Sequence, residues 1–220
     1  MELHLGRHVR CTNGQFGELA DVVIDPSTRR VTHLVVEPDT RPTLARLVPV
    51  ELARVEEAAS DDIVLGCTVE HVRRLPPVDE FAYLRVGDSP PADPEWDVGV
   101  ERVLVPPSAE YPGFAGHPMA FDPHVAITYH RVPKGEVEIG KASTVVSADG
   151  HRLGRVEGFI VDGADGITHV VLERRHLFGR RDVTIPIDSV VRVATDSIML
   201  ELTKDDVRTL PAVPVHRRVA

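Results

Sequence analysis

Two histidine–glutamate pairs recur at the same spacing in this 220-residue chain. His33-x-x-x-Glu37 lies in Val31-Thr32-His33-Leu34-Val35-Val36-Glu37, and His169-x-x-x-Glu173 lies in Ile167-Thr168-His169-Val170-Val171-Leu172-Glu173. Imidazole and carboxylate together could hold a metal or move a proton. The flanking β-branched runs read as strands, however, in which four residues span about 13 Å. Ligands sit only about 2 Å from a bound ion, so neither pair can close on one metal. A repeated structural role, with the histidine at the rim of the fold, is expected instead.

The other candidates for chemistry are weaker. His117, His124 and His130 have no cysteine beside them and no zinc-type spacing. Asp162-Gly163-Ala164-Asp165-Gly166 lacks the alternating ligands and distal glutamate of a calcium loop, so it reads as a turn. There is no glycine-rich phosphate loop with lysine and no Gly-x-Ser-x-Gly elbow. No catalytic residue, metal ligand or cofactor is assigned, and a non-enzymatic chain is expected. The strongest surface feature is Arg174-Arg175-His176-Leu177-Phe178-Gly179-Arg180-Arg181. It reads as a hairpin loop with four arginines around an apolar tip. Arginine pairs with carboxylate or phosphate and phenylalanine adds an insertion surface. Arg174, Arg175, Phe178, Arg180 and Arg181 are therefore the candidate partner-binding residues. The competing reading is a solvated hairpin whose Leu177 and Phe178 fold back on the protein.

The elements that position these residues come in two copies. Gly17-Glu18-Leu19-Ala20-Asp21-Val22-Val23-Ile24-Asp25 matches Gly154-Arg155-Val156-Glu157-Gly158-Phe159-Ile160-Val161-Asp162. Leu47-Val48-Pro49-Val50 pairs with Thr184-Ile185-Pro186-Ile187, and Thr68-x-x-x-Val72-Arg73-x-Leu75-Pro76 with Thr203-x-x-x-Val207-Arg208-x-Leu210-Pro211. With the histidine blocks, four matches in one order mark an internal duplication. Asn13-Gly14 and Asp149-Gly150 are hairpin dipeptides, expected to place both central residues at positive φ. Pro49 and Pro186 belong at a strand start, an edge or a bulge. Thr68 and Thr203 can cap one helical turn each. Each copy reads as five or six short strands plus that turn. Val22, Ile24, Leu34 and Val36 are expected in one core, and Phe159, Val161, Val170 and Leu172 in the other.

In their order, these blocks resemble the PRC-barrel family, whose members include the cytoplasmic domain of the photosynthetic reaction-centre H subunit and the C-terminal domain of the ribosome maturation factor RimM. The resemblance implies an all-β chain of two small β-barrels: residues 1–76 and 138–213, joined by a strap at 77–137 and followed by a tail at 214–220. The family shares a fold more than a function, so it implies no catalytic residues.

The strap holds more than half of the chain's 18 prolines, with Tyr83, Tyr111, Tyr129 and the single Trp96. Disordered linkers are poor in aromatics, so an ordered strap anchored by Phe81, Leu84, Trp96, Phe114 and Phe121 is expected. Duplicated modules often bury against each other the patch of an ancestral dimer, which predicts a compact pseudo-two-fold chain able to dimerise. The net charge is −9, while phosphate tracking needs clustered positive charge, which weighs against nucleic acid. No apolar run reaches the roughly 20 residues of a membrane helix. The N-terminus lacks a signal pattern, and Cys11 and Cys67 read as two reduced, buried thiols. A cytoplasmic protein that acts through an unidentified protein partner is expected. An RNA-linked role by similarity to RimM is the first rival, and a small-molecule or metal-binding protein the second.

Overall fold

The computed structural model describes residues 1–40, 44–54, 62–85, 87–103, 124–176 and 179–210, with the backbone alone at 103, 174–176 and 179–182. The first repeat contributes β1 (Glu2–His4), β2 (His8–Cys11), β3 (Gly14–Asp25), β4 (Arg30–Pro38), β5 (Arg46–Pro49), β6 (Ala53–Arg54) and β7 (Ile63–Leu65), followed by the single-turn helix α1 (Val69–Arg74). The strap contributes β8 (Asp79–Arg85), β9 (Trp96–Val103) and β10 (His124–Pro133). The second repeat contributes β11 (Val137–Gly140), β12 (Thr144–Val146), β13 (Arg152–Val161), β14 (Ile167–His176), β15 (Gly179–Pro186), β16 (Val190–Ala194) and β17 (Ser197–Leu200), then α2 (Lys204–Thr209). The protein is all-β, as its alternating apolar runs require.

The two repeats share one topology. Their sheets run β5-β4-β3-β2-β7-β6 and β15-β14-β13-β12-β17-β16. Pro49 and Pro186 end the edge strands β5 and β15, where a missing amide donor costs no ladder bond. Among the described residues neither pairing path closes into a full ring.

The seventh strand of each sheet comes from the other repeat. β1 pairs with β13, placing Leu3 opposite Phe159, and β11 pairs with β3, placing Ile139 opposite Val22. Both exchanges join equivalent positions of the duplication. A second reciprocal contact lies where Arg29 and Asp165 adopt left-handed φ values of 55° and 62°. Val31 N–H donates to the Asp165 carbonyl at 3.0 Å, and Ile167 N–H donates to the Arg29 carbonyl at 2.9 Å. The chain therefore has a pseudo-two-fold arrangement held by main-chain bonds.

The expected core residues are all buried, but they do not form two cores. Val22, Ile24, Leu34 and Val36 pack in one continuous cluster with Phe159, Val161, Val170 and Leu172. The exchanged Leu3 and Ile139, both fully buried, belong to that cluster and tie its halves together. The hairpin expectation also needs correcting. Asn13 and Asp149 are not at positive φ, and Gly150 alone takes the left-handed conformation in its pair, at 78°. Their side chains instead serve the helices. Asn13 Oδ1 accepts from Val69 N–H at 2.9 Å, and Asp149 Oδ1 accepts from Lys204 N–H at 3.1 Å. Thr68 and Thr203 cap α1 and α2 as expected.

The strap strands form a separate antiparallel sheet, β8-β10-β9. It lies on the outer face of the first repeat through a small cluster of Val23, Val35, Ala45, Leu47, Val78 and Val132, with Trp96 alongside. Trp96 also carries the Arg131 guanidinium 4.8 Å above its ring. Phe81, expected as an anchor, is 62% exposed, and Val78 and Val132 take that role. Phe114 and Phe121 lie outside the described residues. Because the core crosses the repeat boundary, Leu3→Ala should cost about 2–5 kcal/mol and lower the stability of both repeats in one unfolding transition. Separate transitions for the two repeats, followed by calorimetry, would disprove this coupling.

Candidate functional site

The exchange strand β11 carries a glutamate into the interior. Glu138 stands opposite Val23 in the ladder between Ile139 and Val137, and is fully buried. A carboxylate there needs partners, since an unpaired buried charge is strongly disfavoured. The strap provides them. His130 on β10 is buried with its Nδ1 2.6 Å from Glu138 Oε1, and Val100 N–H on β9 donates to Glu138 Oε2 at 2.8 Å. The other imidazole nitrogen, Nε2, lies 3.5 Å from Asp79 Oδ1, directly across the β8–β10 ladder. Asp79 Oδ2 accepts from Ala45 N–H at 3.2 Å. Asp21 on β3, also buried, completes the group: one ligand-type atom each of Asp21, His130 and Glu138 lies within 4.8 Å of the others.

Two glycines make room for this cluster. A Cβ at Gly99 would collide with Glu138 Oε2, and one at Gly140 with Asp21 Oδ1. Gly140 stands directly opposite Asp21 in the exchanged ladder. Two clefts reach the cluster from outside. One of about 510 Å³ is bordered by Asp21, Gly99, Gly140 and Arg102. The other, of about 330 Å³, is bordered by Asp79, Thr128, His130 and Arg102. Ala20, Glu37, Val100 and Arg102 line both.

The electrostatics follow from this crowding. Burial, followed by the charge of Glu138, pushes the Asp21 carboxyl up to about 7. Burial alone would lower the His130 imidazole, but its bonds to Asp79 and Glu138 outweigh that and raise it to about 10. The bond from His130 holds Asp79 below the usual carboxylate range, against the opposing effect of burial. Near neutrality the cluster thus holds His130 as an imidazolium between Asp79 and Glu138, beside an Asp21 that exchanges its proton. It can retain a proton or accept a cation in its place.

The residues singled out by sequence are distributed differently. His33 Nδ1 lies 3.1 Å from Thr32 Oγ1 and 3.6 Å from Glu136 Oε2, while Glu37 borders the clefts. His169 Nδ1 likewise lies 3.1 Å from its neighbour Thr168 Oγ1. Of the three strap histidines, His117 lies outside the described residues and His124 stacks on Tyr83 with ring centroids 5.2 Å apart. His124 and His130 stand six residues apart on one strand, about 20 Å, so no shared site exists for them. Asp162 Oδ1 accepts from the Ala164 and Gly166 amides, as a turn requires. Cys11 is buried and Cys67 only half-buried; both thiols are free, and burial raises both. Arg174, Arg175, Arg180 and Arg181 lie on β14 and β15, with only their backbone described, and Phe178 lies outside the described residues.

A PRC-barrel domain model matches residues 141–207. The second repeat is similar to the PRC-barrel domain. The first repeat falls outside that match, and its likeness rests on the duplicated sequence and the identical strand order. No curated protein matches the chain. Among the described residues no helix is long and apolar enough to cross a membrane.

The raised groups make stability depend on pH with a definite sign. Asp21 binds its proton more tightly folded than unfolded. Its contribution is complete below about 3.8 and is lost as pH rises through about 7. His130 contributes fully below 6.5 and loses that contribution as pH rises through about 10. Denaturant midpoints of EDTA-treated protein should therefore fall between about pH 5.5 and 7.5, above the range in which lowered carboxylates such as Asp25 and Asp79 still gain stability, and Asp21→Asn should flatten that fall. Equal slopes in the two proteins would remove Asp21 as its source.

Proposed function

We propose that the chain is a non-enzymatic protein-interaction module whose arginine hairpin docks an acidic segment of a partner protein. The observation that carries this reading is the register at the end of the second repeat. Pairing between β13 and β14 ends with Arg155 opposite Glu173, and β14 and β15 continue beyond it as a two-stranded ribbon. Along the ribbon Arg174 stands opposite Arg181 and Arg175 opposite Arg180. Like charges directly opposite one another destabilise a ladder. A ribbon with two such pairs in succession is relieved by carboxylates from outside, and guanidinium groups accept them two hydrogen bonds at a time.

The PRC-barrel match covers the whole ribbon and supports a small β-module rather than a specific partner. RNA is the rival occupant. The net charge of −9 and the balanced charge of residues 138–220 favour a local acidic contact over an extended phosphate track. A cytoplasmic setting fits this reading. A second copy of the chain is another source of acid, since the strap carries 10 acidic residues against 4 basic ones.

Replacing Arg174, Arg175, Arg180 and Arg181 together with serine should weaken binding of a glutamate-rich peptide more than about tenfold at physiological salt. Each surface charge normally contributes under about 1 kcal/mol, so the melting temperature should hardly change. Unchanged peptide affinity would refute the docking role, and a collapse in stability would make the hairpin structural. Tighter binding of RNA than of the peptide, with a steep salt dependence, would favour the rival.

A further inference from the structure

We propose that Asp21, His130 and Glu138 form a divalent-cation site, with Asp79 as the residue that positions the histidine. The three side chains present one imidazole nitrogen and two carboxylate oxygens within 4.8 Å of one another, all buried. Two donors on one ion stand at most about 4.2 Å apart at ordinary bond lengths. The widest separation must contract by roughly half an ångström, and the 2.6 Å contact of His130 Nδ1 with Glu138 Oε1 must open by a few tenths as the ion takes the place of the shared proton.

The fourth residue distinguishes this cluster from a chance meeting of acids. Metal-binding histidines almost always donate their second ring N–H to a carboxylate, which fixes the tautomer and aims the other nitrogen. Here Asp79 Oδ1 lies 3.5 Å from Nε2, and Ala45 N–H holds that carboxylate in place. The nitrogen left for the ion is Nδ1, the one beside Glu138.

Charge and access agree with this assignment. Once an ion has displaced the protons held by His130 and Asp21, Asp21, Glu138 and Asp79 bring three negative charges into one small volume, and Arg102 at the cleft wall brings one positive charge. A divalent ion with a neutral imidazole balances them. The clefts of about 510 and 330 Å³ give an ion two routes, past Asp21 and past His130. Gly99 and Gly140 leave the carboxylates the space that a larger residue would take. The mixed oxygen and nitrogen donors suit Zn²⁺, Mn²⁺ or Fe²⁺ better than the all-oxygen preference of Ca²⁺. The ion would clamp three parts of the chain at one point: β3 of the first repeat, the exchanged β11 and the strap strand β10.

The test uses the untagged full chain, stripped with EDTA and dialysed against Mn²⁺ and against Zn²⁺. One equivalent of at least one ion should be retained. Asp21→Asn should lower affinity by more than about tenfold, and Asp79→Asn by about 10- to 100-fold. Mn²⁺ bound to the wild-type chain should broaden the His130 ring resonances before those of the exposed His8 and His151, a readout that needs no variant to fold. Failure of the wild-type chain to retain either ion would overturn the proposal, leaving the cluster as a proton-sharing pair. So would equal affinity in the Asp21→Asn chain, or broadening centred on other histidines.

Discussion

The exchange of β1 and β11 is the constraint on which the rest of the structure depends. A repeat of about 75 residues buries a smaller share of its surface than a larger domain does. Each repeat here completes its sheet with a strand that belongs to the other. Leu3 and Ile139 thereby enter foreign halves of the core, and neither half is complete without its guest. Main-chain bonds between Arg29 and Ile167 and between Asp165 and Val31 add a second tie at the pseudo-dyad. A duplicated gene has in effect fixed in one chain the contact that two copies would otherwise make by association.

The polar cluster is a consequence of that exchange. Glu138 reaches the interior only because β11 crosses to β3, and Asp21 meets it only because Gly140 faces Asp21 in the same ladder. The strap then seals the pair from the other side with His130, Asp79 and the Val100 amide. Removing His130 would leave Glu138 buried without its imidazole partner, which costs far more than the net worth of the interaction. The strap is thus held to the first repeat twice, by the apolar contacts of Val78 and Val132 and by this network.

Much of the fold was legible in the sequence because duplication writes the same pattern twice. The alternation of Val22, Ile24, Leu34 and Val36 told which residues face inward, and their counterparts confirmed the period. Alternation cannot tell which strand lies alongside, so the exchange and the merging of two cores stayed hidden. The cluster was illegible as a motif, since Asp21, Asp79, His130 and Glu138 come from four strands in three parts of the chain. One signal was present: Asp21 and Glu138 are charged residues within otherwise apolar runs, Leu19–Ile24 and Val137–Ile139. Phe81 misled for the converse reason. Aromatic type suggests burial, but the overhanging strap leaves it in solvent.

The two exchange ladders also explain why, among the described residues, the cluster occurs once and not twice. Asp21 of the first ladder corresponds to Gly158 of the second, and Gly140 corresponds to His4. Each ladder therefore sets one glycine against one polar side chain, Asp21 opposite Gly140 and His4 opposite Gly158. A Cβ at Gly158 would collide with the Leu3 carbonyl and the His4 backbone, so the close approach needs glycine there too. The side of the ladder that carries the functional group has been swapped between the copies. His4 reaches Glu2 Oε2, the counterpart of Glu138, at 3.4 Å, and that glutamate is 42% exposed. Glu138 is fully enclosed by the strap, which the described second repeat does not have. Duplication supplied two equivalent sites. The strap and the moved glycine made one of them a buried cluster of acids around a histidine, reached by clefts, and left the other a histidine beside a half-exposed glutamate.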